Sequence, residues 1–504
     1  MLDRRWFSMG VGFLCLFAPC SIVESISAAE RPPNIVFVLA DDLGYRELGC
    51  FGQQLIQTPH LDDLAKHGMR LTQHYSGNAV CAPSRCVLMT GKHPGHTSIR
   101  NNSETESEGQ WPLAASDVTV ATLLQQHGYS TGAFGKWGLG GPQSEGRPLQ
   151  QGFDRFYGYN CQRVAHSYYP ATLWSDEELA PLDNHPAIAG HGKLALTANP
   201  ADPASYAAFK GTDYAPDRIH AQALEFIDVH RERPFFLYYP SVIPHLSLQI
   251  PDAELAPYTD LGWYDPPFKQ GSQKLGYTPH LTPRAAYAAM ISKLDKQVGS
   301  LLAKLDELGL SEDTIVIFTS DNGASHLRDE VDVDFFKSVG ELRGLKGSLY
   351  EGGLRVPTLV RWPKHIAPGS DSDIVSGFED WLPTLLDCIG QKADIPNDCD
   401  GISLLPTLLG QSQAPRPYLY REFAGYGGQQ SLRIGPWKAV RQGIQQGNMD
   451  VELYNIDEDI SETRNVAAEH PRLVAKLTAQ MTQVRTPSAT FPLLPYDTQT
   501  PASP

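Results

Sequence analysis

Cysteine is scarce, with eight in 504 residues. Cys15 and Cys20 fall in an N-terminal leader-like segment, which leaves Cys50, Cys81, Cys86, Cys161, Cys388 and Cys399. So few thiols cannot hold a disulfide scaffold together, and a hydrophobic core must do the folding. Cys388 and Cys399 are spaced for a short-range disulfide, but spacing alone leaves pairing open. No C-x-x-C is present. The spacing of Cys81 and Cys86 matches neither dithiol redox chemistry nor a zinc knuckle, so a redox protein or cysteine hydrolase is a distant reading.

Positive charge is also in deficit: 41 Lys and Arg against 57 Asp and Glu, a formal net charge of −16. An acidic shell argues against nucleic acid as a partner and, more weakly, against an anionic membrane surface. An anionic substrate would need positive charge concentrated at its site. Long apolar runs are lacking too. The apolar stretch at residues 9–18 is too short to span a bilayer. Arg4 and Arg5 precede it and Ser27-Ala28-Ala29 follow, the order of a secretory signal peptide over residues 1–29 with Glu30 as mature start. Cys20, after Ala18-Pro19, is a poor lipid-attachment match. The expectation is an exported protein, periplasmic or secreted, without stable membrane insertion. There is no internal repeat.

What is present is an α/β alternation. Residues 34–40 (NIVFVLA) and 314–320 (TIVIFTS) are nearly continuous apolar strands, as expected where both faces of a parallel sheet are covered. Residues 131–134, 235–239 and 358–360 are weaker candidates. Thr58-Pro59 opens a helix, with Thr58 as cap, that Gly68 ends. Thr282-Pro283 opens a longer one toward Gly309, with Tyr287, Met290, Ile291, Leu294, Val298, Leu301, Leu305 and Leu308 at helical spacing. Aperiodic stretches at 176–213 and 251–283 read as surface excursions of the kind that wall a binding site. The expected organisation is a main domain over 30–410, a small α+β subdomain over 411–485 and a loose tail over 486–504.

The two strongest strands end in Asp41-Asp42 and Asp321-Asn322. Ligands of open α/β sheets sit beyond the carboxyl ends of the strands. Four oxygen donors without His or Cys suit a hard divalent cation, Ca²⁺ or Mg²⁺. Either pair alone would serve equally to cap a turn. Cys81 lies at or before a helix that Pro83 can begin and Gly91 can end. A helix N-terminus favours an anion and would lower a thiol's pKa. Arg85 follows one turn later.

Cys81-Ala82-Pro83-Ser84-Arg85, with Leu88, Thr90 and Gly91-Lys92 behind it, resembles the hallmark of the type I sulfatases of the alkaline-phosphatase-like superfamily. Further fragments in the family's order include "TPHLDDLAKHGMRLTQHYS", "FGKW", "PFFLYYPSVIPH", "LRGLKGSLYEGGLRVP" and "DGISLLPTLLG". The likeness runs from Pro33 to about Gly410, and more weakly to Leu477. It implies a large, mixed, mostly parallel sheet flanked by helices, with a smaller C-terminal α+β subdomain. It also implies that a maturation enzyme oxidises Cys81 to formylglycine. The hydrated aldehyde would then attack sulfur with one hydroxyl and expel sulfate with the other.

By position, Asp41, Asp42, Asp321 and Asn322 would hold Ca²⁺, with Mg²⁺ less favoured. Arg85 would fix the formylglycine and the metal site, and Lys136 and Lys346 would bind sulfate oxygens. His245 would contact sulfate and protonate the leaving oxygen. Many members read G-K-W-H-L-G where this chain has Gly138. His166 is a candidate replacement or substrate contact. The expected substrate is a sulfate ester, with a lean toward sulfated glycans because Tyr168, Tyr169 and Trp174 could stack on sugar faces. The alternatives are a phosphonate or phosphodiester hydrolase of the same superfamily, and a non-catalytic glycan-binding protein on this scaffold.

Overall fold

The computed structural model describes residue 1 and residues 31–105, 108–195, 197–267, 276–494 and 497. The expected signal peptide therefore lies outside the described residues. Met1–Arg31 and Pro32–Pro504 form separate units, and the fold below is that of the second.

A ten-stranded mixed sheet forms its centre. Five neighbouring strands run parallel, in the order Thr314–Ser320, Asn34–Ala40, Phe235–Pro240, Ser130–Lys136 and Arg155–Tyr159. Leu359–Arg361 and Met69–Leu71 continue one edge antiparallel, followed by Ser370–Ser372. Thr172–Ser175 and Glu178–Pro181 continue the other. Asn34–Ala40 shows why its sequence does not alternate. Val36 and Val38 enter one core cluster with the helices Pro283–Glu307 and Ala215–His230, while Ile35, Phe37 and Leu39 enter another with Val120–Gln126 and Trp381–Cys388. A strand covered on both faces needs apolar residues at every position.

The helix expected at Thr58-Pro59 forms as Pro59–Lys66, but Thr58 does not cap it. The Thr58 hydroxyl accepts from the Gly49 amide instead. Asp295, on the helix Pro283–Glu307, accepts from the His60 and Leu61 amides at 3.3 and 2.8 Å. A carboxylate from a distant helix thus does the capping that the sequence assigned to its neighbour.

The C-terminal part is a four-stranded antiparallel sheet, Leu419–Phe423, Gln429–Ile434, Trp437–Gln442 and Glu452–Asn455, with the helix Pro471–Gln483. Buried ion pairs tie it to the rest: Arg421 to Glu379 at 2.8 Å, Lys438 to Glu351 at 2.9 Å and Arg100 to Glu422 at 2.7 Å. Within the stretch expected as a loose tail, Phe491, Leu493 and Leu494 are buried and Asp497 pairs with Arg485 at 2.7 Å. All six cysteines among the described residues are free thiols, so Cys388 and Cys399 are not joined. No helix among these residues is long and apolar enough to cross a membrane.

Candidate active site

Register builds the site. Asn34 pairs with Thr314 and Ala40 with Ser320, so both strands stop at the same level and Asp41-Asp42 meet Asp321-Asn322. All four side chains are buried. The Asp42 backbone turns left-handed (φ 67°), and its amide donates to Asp321 Oδ1 at 3.2 Å. Asn322 Nδ2 donates to Asp42 Oδ1 at 2.8 Å, which leaves Asn322 Oδ1 buried with no hydrogen-bond partner. A buried acceptor left unpaired is costly unless something else satisfies it. Three carboxylates and an orphaned amide oxygen are the donor set of a hard divalent cation. Burial works against ionisation of Asp41, but Lys136, His245 and Arg85 overcome it and hold that carboxyl far below the usual range. Burial and the neighbouring Asp41 push Asp321 up to about 6.

Cys81 is the first residue of the helix Cys81–Thr90, so this helix starts two residues before the expected Pro83, after an extended Val80. Gly91 ends it with φ 68°. Every residue of the helix is buried. That corrects one expectation: burial pushes the Cys81 thiol up to about 12, although Lys136 and Lys346 pull the other way. Desolvation of the thiolate outweighs the helix terminus. The thiol as encoded is therefore not a ready nucleophile at neutral pH.

Around Cys81 Sγ stand Lys136 Nζ at 3.5 Å, Lys346 Nζ at 3.6 Å and Asp41 Oδ1 at 3.5 Å. Lys136 closes the strand Ser130–Lys136 and also meets Asp41 Oδ2 at 2.6 Å. Lys346 comes from the loop after the sheet's Asp321 and meets Asp42 at 2.7 Å. Arg85 lies beneath, its guanidinium donating twice to Asp321 Oδ2, at 3.1 and 2.8 Å, and standing 3.7 Å from Asp41. Two lysines and an arginine converge in a chain that is acidic overall, the local positive charge an anion would need.

His245 presents Nε2 to Asp42 Oδ2 at 3.6 Å while its Nδ1 bonds the Leu246 carbonyl. A carbonyl only accepts, so Nδ1 carries a proton. Burial lowers this ring to about 4, with Lys346 adding to the effect, so Nε2 is unprotonated at neutral pH. Tyr168 donates to the carbonyls of Val242 and His245. Tyr168 and Tyr169 are core residues and Trp174 donates to Glu108, which removes the first two as sugar platforms.

His166 stacks on His245 at 4.7 Å and 10° and bonds His191 at 2.9 Å, and His191 stacks on Tyr277. His191 and Tyr277 come from the two aperiodic excursions, and no motif marked them. The place beside Gly138 is filled by Gln162, not His166. A Cβ on Gly138 would lie 2.7 Å from Gln162 Nε2. That nitrogen is buried and has no partner.

A second cluster, His93, His96 and Asp400, follows the Cys81 helix. The Gly95 amide donates to His93 Nδ1 at 3.1 Å. Burial lowers this ring to about 4, so it is neutral and its proton sits on Nε2, which faces Asp400. A ring in that tautomer offers no free lone pair to a metal. The cluster ties the helix end to the loop carrying Asp400.

Comparison with known proteins agrees with this arrangement. The Sulfatase family matches residues 33–391, and N-sulphoglucosamine sulphohydrolase, C-terminal, matches residues 345–487. Human arylsulfatase A is 37% identical over 423 residues, covering 80% of this chain and 73% of that protein. N-acetylgalactosamine-6-O-sulfatase of Bacteroides thetaiotaomicron is 29% identical over 521 residues, covering 91% and 94%. The crystal structure of Ps i-CgsB in complex with k-i-k-neocarrahexaose superposes with a TM-score of 0.71 at 26% identity, covering 90% of this chain and 94% of that one. With the acidic strand ends, the buried cysteine and the two lysines all in one place, the chain belongs to the sulfatase family and is a hydrolase of sulfate esters.

Proposed function

We propose that this protein is exported and removes sulfate from sulfated saccharides, using Cys81 matured to formylglycine and a Ca²⁺ ion held by Asp41, Asp42, Asp321 and Asn322. The observation that carries this is the setting of Cys81 Sγ between the Lys136 and Lys346 ammonium groups, 3.5 and 3.6 Å away, beside the carboxylates. The unpaired Asn322 Oδ1 supports the cation. When present, formylglycine supplies a hydrated aldehyde as oxygen nucleophile and Ca²⁺ supplies fixed positive charge, preferred over Mg²⁺ on family likeness.

The rest falls to the chain's own residues. Lys136 and Lys346 neutralise sulfate oxygens in a largely buried setting, where charge counts for more than in water. Arg85 fixes Asp321 and Asp41, so the acidic group keeps its shape as the anion arrives. His245, its Nδ1 proton anchored on Leu246, holds an unprotonated Nε2 toward the site as an acceptor; the proton it takes up there as the nucleophile's hydroxyl loses one is the proton it passes to the leaving alcohol oxygen. His166 backs that ring by stacking. The signal peptide over 1–29, a catalytic sulfatase domain over 30–410, a subdomain over 411–485 and a tail over 486–504 complete the reading. The glycan lean draws support from the sugar names carried by the bacterial relative and the bound structure.

The test is the mass of the tryptic peptide containing Cys81, from protein produced with a formylglycine-generating enzyme. Replacement of thiol by aldehyde is expected; an unmodified Cys81 in material that met the enzyme overturns the reading. Turnover of aryl sulfate against aryl phosphate on the same protein separates sulfatase from phosphorus-ester hydrolase. For the cation, chelation is expected to lower the melting midpoint, and added Ca²⁺ to restore it more fully than Mg²⁺.

A further inference from the structure

Tyr426 is an exposed aromatic in a strained position beside the catalytic lysine loop. It sits in the turn between the strands Leu419–Phe423 and Gln429–Ile434 of the C-terminal sheet. It is 64% exposed, one of few large hydrophobic side chains so placed among the described residues. Its backbone is left-handed, φ 52°, a genuine outlier for a bulky residue and one that tends to persist where function requires it.

The ring lies directly over Gly347, the residue after Lys346. A Cβ there would fall 2.2 Å from Tyr426 Cε2, so glycine is needed for the ring to rest on the loop. The hairpin is pinned at this place. Gln429 Nε2 donates to the Gly347 carbonyl at 2.7 Å, and Gln429 Oε1 accepts from the Leu349 amide at 3.2 Å. Lys346 itself reaches to 3.6 Å from Cys81 Sγ. The His326 ring packs against Tyr426 at 5.7 Å, and Asn101 approaches the same turn at Gly425. Asn102, next in sequence, accepts from the Ala82 amide at the start of the Cys81 helix.

We propose that Tyr426 is a specificity-determining residue: the platform on which the sugar ring of a sulfated saccharide rests while its sulfate reaches Lys346 and Cys81, with His326 as its flank. This rests on the sulfated-saccharide reading above and names the residue that holds the sugar. A sugar ring offers an apolar C–H face and a rim of hydroxyls. A tyrosine face supplies the first need, and His326 and Asn101 beside the same turn supply the second. A steroid or simple aryl group would instead call for an enclosed, mostly apolar wall. The C-terminal sheet thereby chooses the substrate, while the main sheet does the chemistry.

The experiment compares kcat/KM for a panel of sulfated di- and tetrasaccharides prepared from chondroitin and carrageenan with kcat/KM for nitrophenyl sulfate, on the matured full-length protein. In Tyr426→Ala the ratio of saccharide to aryl activity is expected to fall about five- to tenfold, carried by KM, the size of one lost ring contact. Tyr426→Phe, which keeps the ring face, is expected to retain most of the ratio. An unchanged ratio in Tyr426→Ala overturns the proposal, as does an equal loss on both substrate types. Wild-type protein that cleaves nitrophenyl sulfate but no saccharide of the panel overturns the platform while the sulfatase reading stands. Wild-type protein that cleaves neither overturns both.

Discussion

Arg85 links the stability of the buried acidic group to the proposed chemistry. Its guanidinium is fully buried and held by Asp321 and Asp41. Removing one partner of a buried ion pair strands the other charge, at about 3–5 kcal/mol. Arg85→Ala is therefore expected to lower unfolding free energy by roughly that amount, read by urea denaturation, as well as to abolish turnover. Cys81→Ala should separate the two. It removes a small buried side chain and the proposed nucleophile, so activity should fall by a thousandfold or more while the melting midpoint moves little. A Cys81→Ala protein that kept full activity would end the mechanism. Cys81, Arg85 and both lysines were legible because each sits in a short stretch whose residue types match a known pattern. Tyr426, His191, Tyr277 and Gln162 were not. Each lies in a turn or loop with no local pattern, and only chain crossings bring them near the site.

Elements gain their ends from distant parts of the chain. The helix Pro59–Lys66 was legible from its proline and its apolar spacing, but its cap was not. Asp295 is more than two hundred residues away and only packing of the helix Pro283–Glu307 places it. Asp295→Ala is expected to cost about 1–2 kcal/mol, whereas Thr58→Val, which leaves the Asp295 bonds in place, should cost less. Denaturation of the two variants side by side checks the order. Close strand approach makes another demand. Gly135 has φ 140°, and a Cβ there would lie 1.9 Å from the Pro240 carbonyl oxygen. Gly135→Ala must shift the backbone next to Lys136, and both stability and kcat are expected to drop. Nothing in "AFGKWG" reveals that crowding, since a glycine in a strand looks the same whether its neighbour is near or far.

Across the whole molecule, buried carboxyls pull in opposite directions and shape the pH profile of stability. Burial raises Glu47 to about 7 and Asp295 to about 6. These groups hold a proton in the folded state that the unfolded chain releases near its ordinary carboxyl pKa, so stability declines as pH rises toward 7. Glu379 and Glu351 behave oppositely. Burial opposes their ionisation, but Arg421 and Arg416 for the first, and Lys438 and Arg355 for the second, hold both near 2. Their contribution is full above the ordinary glutamate value of 4.5 and is lost as pH falls toward 2. The combined contribution of these four carboxyls is therefore expected to be greatest near about pH 5. Glu47→Gln, a carboxamide that cannot ionise, should flatten the limb on the alkaline side. Calorimetry across pH 3–8 on both proteins would show it.

The sequence by itself determined the parallel core, the two acidic strand ends, the cysteine helix and the family, because each is written in contiguous residues whose spacing is their physical meaning. Tertiary structure decided the rest. Register between Asn34–Ala40 and Thr314–Ser320 turned two ambiguous acidic pairs into one cluster. Burial reversed the expected acidity of Cys81, since desolvation depends on everything packed around a group and not on its neighbours in the chain. The C-terminal sheet, which the sequence marks only as an appended subdomain, lays Tyr426 against the Lys346 loop through a hairpin some eighty residues further on. Local pattern names the chemistry; which surface meets the substrate depends on how separate segments pack.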